Sequence, residues 1–346
     1  MNLLRVDNPP NPYESAQREW LEPPPPARIE IFEESSGTIL SKNESPDIPF
    51  KWSVNPYRGC QHACAYCYAR PYHEYLGLGA GTDFDTKLIV KRNAADLLRR
   101  AFRRSSWKRE CVNFSGITDC YQPIEAAYGI TRSCLEVCLD FGNPVVVVTK
   151  GVLVVRDVDI LSALHAKSRA RVMLSIPFAD AETSKLIEPQ APPPSRRFEA
   201  LRQLSDAGVP VGVLVSPIIP GLNDRDIPRI LEQAARAGAQ SASFTALRLP
   251  ASVEEVFVKR IQAVVPLRAK RIMNRLREIR GGAMNDSRFH NRMRGRGAYW
   301  DSICELFALS RRRLGLDEGY REHLEPTDAP ESIDSSEGQL AFDFAD

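Results

Sequence analysis

The chain has 346 residues, eight cysteines and a formal net charge of +2, a length that suits one large α/β domain or two small ones. Eight cysteines behind an N-terminus without a signal-like apolar segment, Met1-Asn2-Leu3-Leu4-Arg5, argue against a secreted disulfide scaffold and point to a reducing cytoplasm. No apolar run approaches the roughly 18 residues of a membrane helix, so no membrane contact is expected.

Residues 1–45 are rich in proline (Pro9, Pro10, Pro12, Pro23 to Pro26) and lack sustained periodicity, which predicts an extended arm. From 46 to 265 short apolar runs alternate with helical patterns. Strands are predicted at Trp52 to Asn55, Val112 to Ser115, Val145 to Thr149, Val172 to Ile176, Val211 to Ser216 and Ser243 to Leu247. Helices are predicted at Ala94 to Arg104, Ile124 to Phe141, Asp157 to Lys167, Ser195 to Ala207, Asp226 to Ala237 and Ser252 to Val265. Strands alternating with helices of this length imply parallel β/α units with right-handed crossovers. Six units make a partial (β/α)6 barrel of the TIM-like kind, whose chemistry gathers at the C-terminal strand ends. Residues 266–316 read as a basic helical extension and 317–346 as an acidic, disordered tail.

Charge is uneven along this plan. Between Lys87 and Arg109 nine basic residues face one acid, Asp96, and between Pro266 and Arg313 thirteen face four. Segments 87–109 and 266–313 suit a phosphate-binding surface, with the solvated faces of amphipathic helices as the alternative.

After the first strand comes Arg58-Gly59-Cys60-Gln61-His62-Ala63-Cys64-Ala65-Tyr66-Cys67-Tyr68. Three thiolates spaced C-x3-C-x2-C suit three irons of a [4Fe-4S] cube, which takes four ligands in full, so the fourth iron is left open. Zinc sites instead repeat C-x2-C or pair cysteines with histidines, and ferredoxins space their cysteines C-x2-C-x2-C. A structural metal staple in a non-catalytic nucleic-acid-binding protein remains the competing reading. His62 lies inside the loop, where it can tune a bound cluster.

The second strand runs into Ser115-Gly116-Ile117-Thr118-Asp119-Cys120, the third ends in Thr149-Lys150-Gly151 and the fourth in Leu174-Ser175. Thr118 and Asp119 offer acceptors at a strand end, although an aspartate here also suits a turn or helix cap. Lys150 can place an ammonium near a carboxylate and Ser175 can donate a hydrogen bond. Cys120 is either a hydrogen-donating thiol or a small packing residue.

With Tyr66 directly before the third cysteine, this loop resembles that of the radical S-adenosylmethionine (SAM) superfamily. The stretch from Ser53 to Leu247 resembles the branch related to spore photoproduct lyase, a DNA-repair enzyme. Cys-x-Tyr-Cys-Tyr, the Thr-Asp turn and the Thr-Lys and Leu-Ser strand ends carry that likeness. Asn55-Pro56-Tyr57-Arg58-Gly59-Cys60 and Tyr68-Ala69-Arg70-Pro71 look like an uncharacterised bacterial subgroup. The resemblance implies a [4Fe-4S] cluster on Cys60, Cys64 and Cys67, with SAM on the open iron and cleaved to a 5′-deoxyadenosyl radical. It further implies SAM contacts at Tyr66, Ser115, Thr118, Asp119, Lys150 and Ser175, and hydrogen transfer through Tyr66 and Tyr68; the branch's thiol position holds Gly116 and Ile117 here, and Cys120 is the nearest thiol that could serve as donor. A nucleic-acid substrate and lyase-like chemistry follow from the same branch, with a protein or small-molecule substrate as the alternative. Such a cluster needs a reductant of the flavodoxin or ferredoxin kind. Gln339-Leu340-Ala341-Phe342-Asp343-Phe344 resembles the peptides by which repair proteins dock on the sliding clamp, since an apolar peptide in a polar tail needs a partner groove.

Overall fold

A computed structural model of the chain describes residues 8–13 and 27–317. Among them the strands are β1 (Glu30–Glu34), β2 (Leu40–Lys42), β3 (Trp52–Val54), β4 (Tyr57–Arg58), β5 (Lys87–Lys91), β6 (Val112–Phe114), β7 (Val145–Thr149), β8 (Ala170–Ser175), β9 (Val211–Ile218) and β10 (Ser241–Ala246). Six of these, β3 and β6 to β10, lie side by side in chain order and parallel, with β2 antiparallel at the β3 edge. That open parallel sheet is the partial barrel expected from the alternating patterns. Helices Ala94–Phe102, Ile130–Phe141, Val158–Lys167, Pro194–Asp206 and Ile227–Arg236 cross between its strands. Because both faces of such a sheet are covered, its strands are continuously apolar rather than alternating. Val145 to Val147 in β7 and all of β8 are accordingly buried.

Local chemistry accounts for the departures. The predicted helix from Ile124 to Phe141 is two helices, Glu125–Tyr128 and Ile130–Phe141, parted at Gly129 (φ +64°). An L-residue there would meet a cost of about 1–2 kcal/mol. The helix Ala181–Ile187 follows Asp180, whose carboxylate accepts from the Glu182 and Thr183 amides. No sequence pattern had placed it. A second sheet, in the order β1, β5, β4, also escaped the sequence reading, because β4 has two residues and β1 is mostly exposed. Thus β1 and β2 fall inside the stretch read as an extended arm.

Residues read as a C-terminal extension share the barrel's core. Helix Ala298–Arg313 lays Trp300 and Phe307 on Phe244 of β10, at ring separations of 5.9 and 4.4 Å. The Ala242 amide donates to the Leu316 carbonyl at 3.2 Å. Covering β10 in this way removes an open sheet edge from solvent. Among the described residues no helix is long and apolar enough to cross a membrane. The peptide Gln339 to Phe344 lies outside the described residues.

Candidate active site

The cysteine loop leaves the C-terminal end of β3 through a turn that needs glycine. Gly59 has φ +75°, and a Cβ there would sit 3.0 Å from His73, Phe84 and Lys87. The loop is then tied down by buried donors. Arg70, with no exposed surface, donates to the Cys64 carbonyl at 2.9 and 3.1 Å, to the Ala80 and Gly81 carbonyls at 2.8 and 2.9 Å, and to Asp85 at 2.9 Å. Gln61 and Gln122 cross-link the loop to the turn after β6, the Gln61 amide donating to Gln122 at 2.8 Å and the Ile124 amide to Gln61 at 2.6 Å. Cys60, Cys64 and Cys67 are unbridged and line one side of a cavity of about 170 Å³ at the strand ends. Burial pushes all three thiols above their usual pKa, partly offset at Cys64 by the Lys150 ammonium. A bound metal centre would reverse that bias, because it deprotonates a coordinating thiol outright.

Tyr66, Tyr68, Ser115, Thr118, Asp119, Lys150 and Ser175 all line the same cavity. Most of them are already engaged by the protein. Ser115, held at φ +83°, accepts at its hydroxyl from the Cys120 amide at 3.1 Å. The Thr118 hydroxyl donates to the Tyr57 carbonyl at 3.0 Å. Asp119 accepts from the Thr149 hydroxyl (2.5 Å) and the Lys150 (2.6 Å) and Tyr121 (2.9 Å) amides, and faces His62 at 3.3 Å. A carboxylate has about four lone-pair sites, so Asp119 joins the end of β6 to that of β7 and keeps no acceptor for the SAM amino group. Burial raises its pKa, but His62 and the Thr149 and Lys150 bonds overcome this and hold it well below the usual range.

Cys120 departs from the expectation of a hydrogen donor. It is fully buried in the main apolar core and is not part of the cavity lining. Its amide bonds back to Ser115, so successive side chains diverge, Asp119 to the cavity and Cys120 beneath it.

Two groups at this site were missed, Glu188 behind the cavity lining and Ser216 within it. Glu188, fully buried, accepts from Arg197 at 2.6 Å and from the Tyr66 hydroxyl, and lies 3.9 Å from the Lys150 ammonium. Burial raises its pKa, yet Arg197 and Lys150 hold it below the usual value. It ends the unassigned helix Ala181–Ile187, so only tertiary contact could reveal it. Ser216, in β9, lines the cavity, and its buried hydroxyl has no hydrogen-bond partner among the described residues; the strand-end rule would have found it. Opposite stand Thr245, Arg248 and Met293. The Tyr68 hydroxyl donates to the Gly116 carbonyl, and its ring lies under Arg248 at 5.7 Å.

Among the described residues no three His, Cys, Asp or Glu side chains converge on one metal position. Three thiols around a shared cavity leave a larger centre one open position.

Fold and site therefore define a partial α/β barrel with a three-cysteine centre at its mouth. The chain belongs to the radical SAM superfamily, whose family model matches residues 54–234 and whose members use a [4Fe-4S] cluster and SAM. An uncharacterised protein of Mycobacterium tuberculosis is 37% identical over 213 residues, 61% of this chain and 63% of that protein. The chain thus spans less than two thirds of that relative. Solved structures of spore photoproduct lyase mutants share the fold. One matches with a TM-score of 0.54 at 17% identity, covering 82% of this chain and 78% of that one. Another, with bound AdoMet and dinucleoside spore photoproduct, has a TM-score of 0.53 at 18% identity, covering 68% and 66%.

Proposed function

We propose that this chain is an enzyme that reductively cleaves SAM at a [4Fe-4S] cluster held by Cys60, Cys64 and Cys67, then takes a hydrogen atom from a nucleic-acid-related substrate. Bound together, cluster and SAM supply a 5′-deoxyadenosyl radical. The observation that carries the reading is the placement of three unbridged thiols, Lys150 and Ser175 around one cavity at the strand ends. Lys150 offers an ammonium to the carboxylate of the methionine part and Ser216 a hydroxyl beside it, while the Ser175 hydroxyl donates to the Ser216 carbonyl at 3.1 Å and keeps acceptor capacity toward the ligand. Burial opposes the Lys150 charge, but Cys64 and Glu188 hold its pKa above the ordinary value. Asp119 positions the Lys150 backbone, and Glu188 positions Tyr66. Tyr66 and Tyr68 place aromatic faces where they can shield or relay a hydrogen atom.

For the substrate, the supports are the fold shared with spore photoproduct lyase and the basic helix Pro266–Ile279, where Arg268, Lys270 and Arg271 are exposed. Arg271 and Arg275 flank Gly221, in the loop after β9. A flavodoxin or ferredoxin would supply the electron.

Anaerobically reconstituted protein should release 5′-deoxyadenosine on addition of dithionite and SAM, and Cys64→Ala should reduce release to background. Iron-loaded wild type that never forms this nucleoside would falsify the reading. Binding to duplex DNA should weaken with salt at a slope of about 0.9 per phosphate neutralised; a flat response removes the nucleic-acid part alone.

A further inference from the structure

The loop between the helices Pro266–Ile279 and Ala298–Arg313 reaches the cavity only through Met293. Its composition sets it apart. From 281 to 297 it holds four arginines and a histidine against one acid, Asp286, and a single aromatic residue, Phe289. Arg288, His290, Arg294 and Arg296 are exposed.

The loop is tied down from beneath. Arg280 donates to the carbonyls of Leu247, Asn291 and Arg292 at 2.7 to 2.9 Å. The Ala246 amide of β10 donates to the Met293 carbonyl at 3.0 Å, and the His290 amide to Asp47 at 2.7 Å. Phe289 is held with it. The Arg292 guanidinium lies over the Phe289 ring, 4.1 Å from its centroid. Arg292 is itself buried and donates to Asp47 at 2.6 Å and Ser45 at 2.5 Å. One face of the ring therefore rests on a fixed cation, a favourable contact with its π-system.

Phe289 is nonetheless 51% exposed. The exposed part does not help folding, because only apolar area removed from water stabilises. Aromatic rings among cations are a means of holding unpaired nucleic acid: the ring stacks on a base, and the cations follow the phosphates. A ring already fixed loses less freedom on binding than a mobile one. Phe289 is also four residues from Met293, at most about 14 Å of chain, so it stands within that distance of the cavity lining. A base inside a duplex has both faces covered, and enzymes that act on bases take them out of the stack or use single strands.

We propose that Phe289 is a stacking platform for an unpaired nucleobase of the strand whose reacting nucleotide occupies the cavity. The proposal rests on the nucleic-acid reading of the substrate, and adds to it a residue that touches a base and the unpaired form this contact requires.

The test uses full-length, cluster-loaded protein and fluorescence anisotropy with two single strands of equal length and charge, one of thymidines and one of abasic residues. Wild type should prefer the thymidine strand. Phe289→Ala should cut that preference by about fivefold or more, the loss of one stacked base. The salt slope should stay unchanged, because the ring neutralises no phosphate. Phe289→Leu keeps apolar bulk against Arg292 without a π-face and should behave like the alanine variant, whereas Phe289→Trp should keep the preference. Should Phe289→Ala fail to fold, Phe289→Leu decides. The proposal is overturned if wild type binds both strands equally or if the alanine and leucine variants keep its preference; either result leaves the nucleic-acid reading standing. Failure of wild type to bind either strand removes that reading and this proposal together.

Discussion

Beside the cysteine loop, Asp119, which lines the cavity, and Glu188, which lies behind Tyr66 and Lys150, are buried carboxylates whose acceptors are filled by neighbours; on the side of β10, Arg248 lines the cavity, and Arg280 and Arg292 lie behind it, tied to backbone carbonyls and to Asp47 respectively. The cysteine-loop side is balanced before any ligand arrives. It can hold its thiols and Lys150 in place without rearrangement, as a centre that must form the same geometry each turnover requires. The side of β10 is held instead by arginines that bind backbone carbonyls and Asp47. The contrast separates a side held by buried charge pairs from a side held by arginines on backbone carbonyls.

The sharpest way to break it is Glu188→Ala. This leaves Arg197, itself fully buried, without its anion, and removing one partner of a buried pair costs about 3–5 kcal/mol. Urea unfolding measures the loss; a change under about 1 kcal/mol, the scale of an exposed pair, would show that the cysteine-loop side is not held by charge balance. On the side of β10, Arg280→Met leaves carbonyls of the Met293 loop without donors, with an expected loss of about 2–3 kcal/mol. Because Arg280 stands outside the cavity, 5′-deoxyadenosine release per folded protein should stay unchanged; a parallel loss of release would show that the Met293 loop shapes the site.

The smallest effect concerns the support under the cysteine loop. His73 packs beneath Gly59 and contacts the Lys87 carbonyl at 2.8 Å. Burial lowers its pKa from the ordinary 6.5, more than the Lys87 contact raises it. Between the folded value and 6.5 the unfolded chain therefore binds more protons, and stability rises with pH across that window. His73 contributes fully above 6.5 and less as the pH falls toward its folded value. Unfolding midpoints of wild type and His73→Gln, compared on either side of pH 6.5, should differ in slope; identical slopes would assign the acid sensitivity elsewhere.

Legibility followed the range of the interactions. The six parallel strands were readable because continuous apolar runs such as Val145 to Val148 are a local signal. The cysteine loop was readable because its ligands lie within eight residues. Thr118, Lys150 and Ser175 were found by asking what stands at strand ends, a rule that the barrel topology makes reliable. The same rule applied to β9 would have found Ser216. It failed for Cys120, because adjacency in sequence to Asp119 says nothing about which way a side chain leaves a turn.

By itself the sequence determined the α/β class, the order of the parallel strands and the three-cysteine loop after the first of them, since each depends on spacing within a few residues. Tertiary structure alone decided that Glu188, 122 residues from Tyr66, would bond its hydroxyl, and that a C-terminal loop would bring Met293 beside Arg248. Those contacts depend on how successive β/α units stack and where the last helices settle, and burial then sets which charges can meet.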